Sequence, residues 1–125
     1  MKTKRTIAML LILSLLVMES VAAKTYASES GNLNGGVYTI GITGSTISLT
    51  AYTAYTINNT SRSVSISGTY VGDGFIGTRV KGNGNGGSSG SVSASISLTG
   101  NNRFVEATST HSISGWSTTL TSDID

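Results

Sequence analysis

His111 is the only histidine of the chain and its strongest candidate for a general base. A serine hydrolase pairs such a histidine with a serine in a Gly-x-Ser-x-Gly turn between a strand and a helix. The sequence around His111, Ser-Thr-His-Ser-Ile-Ser-Gly, lacks that motif and alternates as a strand does. Because the alternation places His111 on the inward face, we predict a structural histidine that hydrogen-bonds a hydroxyl group or a backbone carbonyl.

Two carboxylates are enough for a glycosidase, and Asp73 and Glu106 are the candidate pair. Asp73 lies between two glycines in a predicted turn, and Glu106 falls on the polar face of a predicted strand, so both are better explained as solvated surface charges. The chain has no cysteine, which excludes thiol nucleophiles and thiolate metal sites, and one histidine excludes the common multi-histidine sites. The sequence therefore predicts a protein that is not an enzyme and that holds no metal or cofactor.

Residues 81–90, Lys-Gly-Asn-Gly-Asn-Gly-Gly-Ser-Ser-Gly, match the Gly-x-Gly-x-x-Gly spacing of a dinucleotide loop. Such a loop must open a helix whose N-terminal amides hold the phosphate, whereas the residues after 90 alternate as a strand. We therefore predict a flexible connector at 81–90. Similar tetrapeptides flank it, and they predict two related halves, with chance similarity in a Ser/Thr-rich chain as an equally weighted alternative. The matches are Ile-Ser-Leu-Thr at 47–50 and 96–99, and Ser-Ile-Ser-Gly at 65–68 and 112–115.

Aromatic side chains among hydroxyl groups are the remaining candidates for binding. Tyr52 and Tyr55 are three residues apart, so on a strand they point to opposite faces and only one of them belongs to the core. We predict that Tyr52 is exposed, and we name Tyr52, Tyr70 and Trp116 as candidate ligand-binding residues. Aromatic rings beside hydroxyl and amide groups suit sugar stacking or a wet protein interface. The alternative is scattered surface tyrosines with Trp116 in the core.

The elements that must position these residues are strands. Apolar and polar residues alternate with a period of two along most of the chain after residue 36, and Gly, Asn and Asp clusters interrupt the alternation. We predict an all-β fold, a small antiparallel β-sandwich or partly open barrel of about seven short strands. The β domain spans 36–122, a flexible segment spans 24–35, and the tail at 123–125 frays.

The first residues of the chain predict secretion. Lys2, Lys4 and Arg5 precede an almost unbroken apolar run at 7–18, which is too short for a membrane-spanning helix of about 20 residues. This is the pattern of a secretory signal peptide at 1–23, with cleavage after Ala23 and an alternative site after Ala27. Without residues 1–23 the chain has equal numbers of basic and acidic residues, although the precursor carries +2. A neutral chain with no basic cluster disfavours nucleic acid and anionic membranes as partners.

Two functions remain open for such a chain. The first is a secreted, non-catalytic β-sandwich module that binds an extracellular or cell-surface glycan or protein. The second is a bacteriocin-like antimicrobial protein of a Gram-positive bacterium that acts on neighbouring bacteria. Lactococcin 972-like bacteriocins also combine a signal peptide with a small β-sandwich, but their aromatic C-terminal end is missing here and we assign no family. Long alternating strands without proline also favour self-association when their edges are exposed.

Overall fold

The computed structural model describes residues 23–72 and 75–124, and nearly all of the predicted signal peptide lies outside these ranges. The described residues form no helix, and therefore none that is long and apolar enough to cross a membrane. They form eight strands, which are β1 Lys24–Leu33, β2 Gly36–Ser45, β3 Ser48–Tyr55, β4 Arg62–Gly72, β5 Phe75–Gly87, β6 Ser91–Ser97, β7 Arg103–Ile113 and β8 Trp116–Asp123. The strands make two antiparallel sheets that pack face to face, which we call sheet A (β1-β2-β3-β6) and sheet B (β5-β4-β7-β8). The predicted all-β sandwich is confirmed, with eight strands rather than about seven.

Strand β1 corrects the prediction of a flexible segment at 24–35. It pairs with β2 from Lys24 to Leu33, and the two strands are joined by Asn34 and Gly35. These turn residues have φ of 48° and 86°, the positive values that a type I′ hairpin requires. Because β1 is an edge strand with mostly exposed side chains, it lacks the apolar alternation on which the prediction depended.

The C-terminal residues also depart from the prediction of a frayed tail. Strand β8 continues to Asp123, and the Ile124 amide donates a hydrogen bond to the Val105 carbonyl at 3.0 Å. The Ile124 side chain is 3% exposed and packs in the core between the sheets. Burial of this one apolar side chain holds the residues at the end of β8 in place.

The glycine-rich stretch is for the most part a strand. Strand β5 pairs with β4 as far as Gly87, which leaves 88–90 as the connection from sheet B to β6 in sheet A. A Cβ atom at Gly82 would lie 2.7 Å from the Ser95 carbonyl oxygen of β6. The absence of a side chain there allows β5 to approach β6 closely, so the predicted connector shrinks to the turn at 88–90.

The two sheets enclose a main core and a smaller second cluster. The second cluster lies where β1 and β2 approach β7 and β8, and its partly buried members are Leu33, Trp116 and Leu120. The buried members are, for the main core, Ile42, Leu49, Ala51, Val64, Ile66, Ala94, Ile96, Phe104, Ala107 and Ile124, and for the second cluster, Tyr38, Ile40, Tyr55 and Ile113.

Two three-strand units follow the same path through the sandwich. Strands β3 and β6 pair in sheet A, β4 and β7 pair in sheet B, and β5 and β8 flank that second pair. The hairpin β1–β2 has no counterpart in the other unit. The matching tetrapeptides do not occupy equivalent places, because Gly68 is buried in the middle of β4 whereas Gly115 is exposed in the β7–β8 turn. The predicted halves therefore exist in the topology, but the tetrapeptides do not mark them.

Candidate functional site

The three aromatic residues named from the sequence lie on different parts of the molecule. Tyr52 is on the outer face of sheet A, and Tyr70 packs against the main core. Trp116 begins β8 beside Ile113, which pairs with Arg62 at the start of β4. Tyr70 is farther along β4 by eight residues, or roughly 26 Å of extended strand. One ligand site cannot contain all three residues.

Aromatic rings cover glycines on neighbouring strands, and this contact explains the position of Tyr52. A Cβ atom at Gly41, the direct partner of Tyr52 in the β2–β3 ladder, would lie 2.6 Å from the tyrosine hydroxyl oxygen. Tyr55 covers Gly36 in the same way, with the Cβ position 2.8 Å from its ring. Such pairs protect the bare backbone of a glycine in a sheet. Tyr52 therefore has a structural contact as well as its partial exposure.

Trp116 belongs to a polar and aromatic grouping at the side of the sandwich between β1 and β8. At the far ends of these edge strands, away from Trp116, the Ser122 hydroxyl donates to the Tyr26 carbonyl at 3.1 Å. The ring centroids of Tyr38 and Trp116 are 4.6 Å apart, with a 46° angle between the planes. The Tyr38 hydroxyl donates to Oε2 of Glu29 at 2.6 Å. We call these three residues the Glu29–Tyr38–Trp116 cluster.

The backbone of β1 makes room for this cluster. Gly31 is the direct partner of Tyr38, and a Cβ atom there would lie 3.0 Å from the tyrosine ring and from its hydroxyl oxygen. The ring is therefore held between the backbone of β1 on one side and the indole of Trp116 on the other. Tyr38 is almost fully buried, Trp116 is partly exposed, and Glu29 is exposed. The cluster thus exposes a carboxylate and an indole to solvent, and the fixed phenol ring of Tyr38 contacts both.

The Glu29–Tyr38–Trp116 cluster keeps the negative charge of Glu29. The hydrogen bond to Glu29, with lesser contributions from burial and from the Glu29 charge, raises the pKa of Tyr38 above its ordinary value of 10.0. Tyr38 is therefore a neutral donor at physiological pH. A neutral donor orients the Glu29 carboxylate but does not cancel its charge.

His111 lies in a second, sealed polar grouping. Its ring is fully buried, with Nε2 2.6 Å from the Ser109 hydroxyl and Nδ1 2.9 Å from the Thr53 hydroxyl. The Thr53 hydroxyl donates its one proton to the Ser63 carbonyl at 3.1 Å, so it must accept from Nδ1–H. Nε2 then accepts from Ser109. The prediction of an inward-facing histidine bonded to hydroxyl groups is confirmed.

The chemistry of this histidine is limited by its surroundings. Burial lowers the pKa of His111 to about 4, although a backbone hydrogen bond to Tyr52 and the Glu29 charge act in the opposite direction. The arrangement of Ser109 and His111 matches the hydrogen bond of a nucleophile and its base, but both side chains are fully buried. A substrate has no access to Ser109, so the pair is structural.

Arg62 is a buried charge that the sequence analysis missed. The residue is 1% exposed, and its guanidinium group lies 5.7 Å from the Tyr55 ring centroid and is surrounded by backbone carbonyls. The alternation of β4 could have revealed it, because Arg62 occupies the same face as the buried Val64 and Ile66. The accepting carbonyls, at 2.6 to 3.2 Å, belong to Tyr55, Ile57, Thr60, Ser88 and Gly90.

Of the two carboxylates considered from the sequence, only Glu106 can be placed, and it is exposed as predicted. Asp73 lies outside the described residues, and Glu106 is exposed on the outer face of sheet B with Asp123 as its cross-strand partner. Within the described ranges, no group of three or more His, Asp or Glu side chains could hold a metal ion.

Comparisons of the chain with protein-family models, with curated proteins and with solved structures give no match. The class that the fold defines is accordingly a small antiparallel β-sandwich. Any function must be argued from the side chains themselves.

Proposed function

We propose that the protein is a secreted, non-catalytic module that binds an extracellular glycan through the Glu29–Tyr38–Trp116 cluster. The observation that carries this proposal is the partly exposed indole of Trp116, fixed at 4.6 Å from the buried ring of Tyr38 beside an exposed carboxylate. The secretory signal peptide predicted at 1–23 supports an extracellular ligand.

The chemistry of the cluster suits a sugar. The flat apolar face of an indole stacks on the C–H face of a pyranose ring, and a carboxylate accepts hydrogen bonds from sugar hydroxyl groups. Tyr38 limits the motion of both groups, so little side-chain entropy is lost when a ligand binds. A few polar groups beside an aromatic platform are the usual composition of a ligand site.

Retention on insoluble polysaccharides tests this proposal. Residues 24–125 contain every strand of the described fold and would be mixed with cell walls, peptidoglycan, chitin and cellulose. We expect retention on at least one of them, and a roughly tenfold loss of affinity in Trp116→Ala, because one buried aromatic contact often dominates an interface. If Trp116→Ala fails to fold, Glu29→Gln tests the same cluster in a variant that keeps the fold.

Tyr52→Ala is the matched control, because it removes an aromatic ring on the outer face of sheet A. If Tyr52→Ala abolishes retention and Trp116→Ala does not, the site lies on that face and the proposal is wrong. Killing of Gram-positive indicator bacteria, without retention on any polysaccharide, would favour the antimicrobial alternative instead.

A further inference from the structure

We infer that the glycan carries free amino groups, and that the Glu29 carboxylate binds one of them as an ammonium ion while Trp116 stacks on the sugar ring. This inference deepens the proposed function and rests on it. It narrows the ligand class to polymers of unacetylated amino sugars.

The first step of the argument concerns the charge of Glu29. Its carboxylate is exposed and receives a hydrogen bond from the neutral hydroxyl of Tyr38 at 2.6 Å. A neutral sugar hydroxyl would be a second neutral donor and would leave the charge uncompensated. An ammonium group both donates hydrogen bonds and compensates the charge, which makes it the stronger partner for a carboxylate that is already oriented.

The second step concerns the aromatic rings beside the carboxylate. Indole and phenol rings attract cations through their negative faces, and indole does so most strongly. The chain already uses this interaction elsewhere, because Lys24 Nζ lies 5.2 Å from the Tyr26 ring centroid. An ammonium group on the sugar that stacks on Trp116 makes the C–H bonds of that sugar more positive, so the negative face of the indole favours it over an uncharged sugar.

The third step concerns orientation. Tyr38 is held between Gly31 and Trp116, and its hydroxyl fixes one carboxylate oxygen of Glu29. Oε1, the other oxygen of this exposed carboxylate, is the acceptor we assign to the ligand. The carboxylate and the indole are thus joined through one rigid ring, so an amino group and the sugar ring that carries it can bind together.

The test uses the fluorescence of Trp116, the only tryptophan of the chain. Residues 24–125 would be titrated with a short glucosamine oligomer and with its N-acetylated counterpart of the same length. We expect the glucosamine oligomer to bind roughly tenfold more tightly, and the preference to weaken as salt is added. Glu29→Gln should abolish the preference, because the amide keeps an acceptor for Tyr38 but loses the charge.

Glu106→Gln is the matched control, since it removes an exposed carboxylate from the outer face of sheet B. It should retain the full preference for the glucosamine oligomer. Equal affinity for the two oligomers, or equal losses in Glu29→Gln and Glu106→Gln, would overturn the inference and leave the proposed glycan binding in place. Failure to bind either oligomer or any polysaccharide would overturn both. A lysine oligopeptide that binds as tightly, in a Glu29-dependent manner, would overturn the assignment to a sugar.

Discussion

The sandwich contains two groupings of hydrogen-bonded polar side chains, one buried and one that reaches solvent. The buried grouping is His111 with its hydroxyl partners, and the other is the Glu29–Tyr38–Trp116 cluster. Around His111 each hydrogen-bonding atom has a protein partner and the ring is fully buried. In the cluster, the buried Tyr38 supports two groups that reach solvent. Sealed polar groups specify the fold, whereas groups held rigidly at the surface are available to a ligand.

Arg62 is a separate buried polar group, and it provides the strongest test of what sealed polar groups contribute to the fold. Its guanidinium group ties the loop at 55–60 to the turn at 88–90 through backbone carbonyls. Arg62→Leu would leave these buried carbonyls without a donor, so we expect a loss of about 3 to 5 kcal/mol in the free energy of unfolding. Urea denaturation measures this loss. Arg62→Lys is the control for charge, and it should recover little, because an ammonium group cannot span the same set of carbonyls.

Lowering the pH tests how strongly the fold depends on the burial of neutral His111. The folded-state pKa of about 4 lies below the ordinary value of 6.5, so the unfolded chain binds the proton first. The contribution of neutral His111 to the free energy of unfolding is therefore complete above pH 6.5. It is lost as the pH drops from 6.5 to 4, and the total loss is about 3 kcal/mol. Thermal unfolding across this window measures the effect, and His111→Gln should flatten it. An unchanged slope in that variant would mean that carboxylates cause the pH dependence.

The sequence allowed the sandwich to be predicted because buried residues alternate along β3, β4 and β7. It failed for β1, an edge strand whose exposed side chains carry no such alternation. The Asn34-Gly35 pair that follows β1 was the available signal, since this dipeptide favours a hairpin turn. At 81–90 the composition was misleading, because glycine serves close packing of β5 on β6 as readily as it serves flexibility.

The candidate site was less predictable than the fold. Trp116 could be named because an aromatic ring among hydroxyl groups is suited to binding, but its partners depend on long-range pairing. Glu29 lies in a segment that lacked any strand pattern, and its contact with Tyr38 requires the β1–β2 register. The contact of Tyr38 with Trp116 requires in addition the packing of sheet A on sheet B. No local pattern encodes either of these conditions.

Gly31 and Gly41 offer a smaller and more direct comparison between the cluster and the outer face of sheet A. Each glycine is covered by a tyrosine of the neighbouring strand, Tyr38 and Tyr52 respectively. Gly31→Ala should cost about 1 kcal/mol and shift the emission of Trp116, because Tyr38 is enclosed and cannot move away. At Gly41 the new Cβ would lie closer to the tyrosine, 2.6 Å from its hydroxyl oxygen, but the partly exposed Tyr52 can rotate outward. Alanine also lowers the conformational entropy of the unfolded chain, so Gly41→Ala should change the free energy of unfolding by no more than about 0.5 kcal/mol. Equal costs would show that Tyr38 is no more constrained than Tyr52.

Glu29→Gln should have the smallest effect on stability and the clearest effect on the electrostatics of the cluster. The amide oxygen still accepts from Tyr38, so we expect a change within about 0.5 kcal/mol in the free energy of unfolding. The pKa of Tyr38 should fall part of the way towards its ordinary value, because its hydrogen bond then goes to a weaker, neutral acceptor and the charge that opposes ionisation is gone. The difference in tyrosinate absorbance between wild type and variant during an alkaline titration measures this shift, and Glu106→Gln should show none. If Glu29→Gln instead lowers stability by 2 kcal/mol or more, the carboxylate is an integral part of the fold. The cluster would then belong with the sealed grouping rather than with the surface.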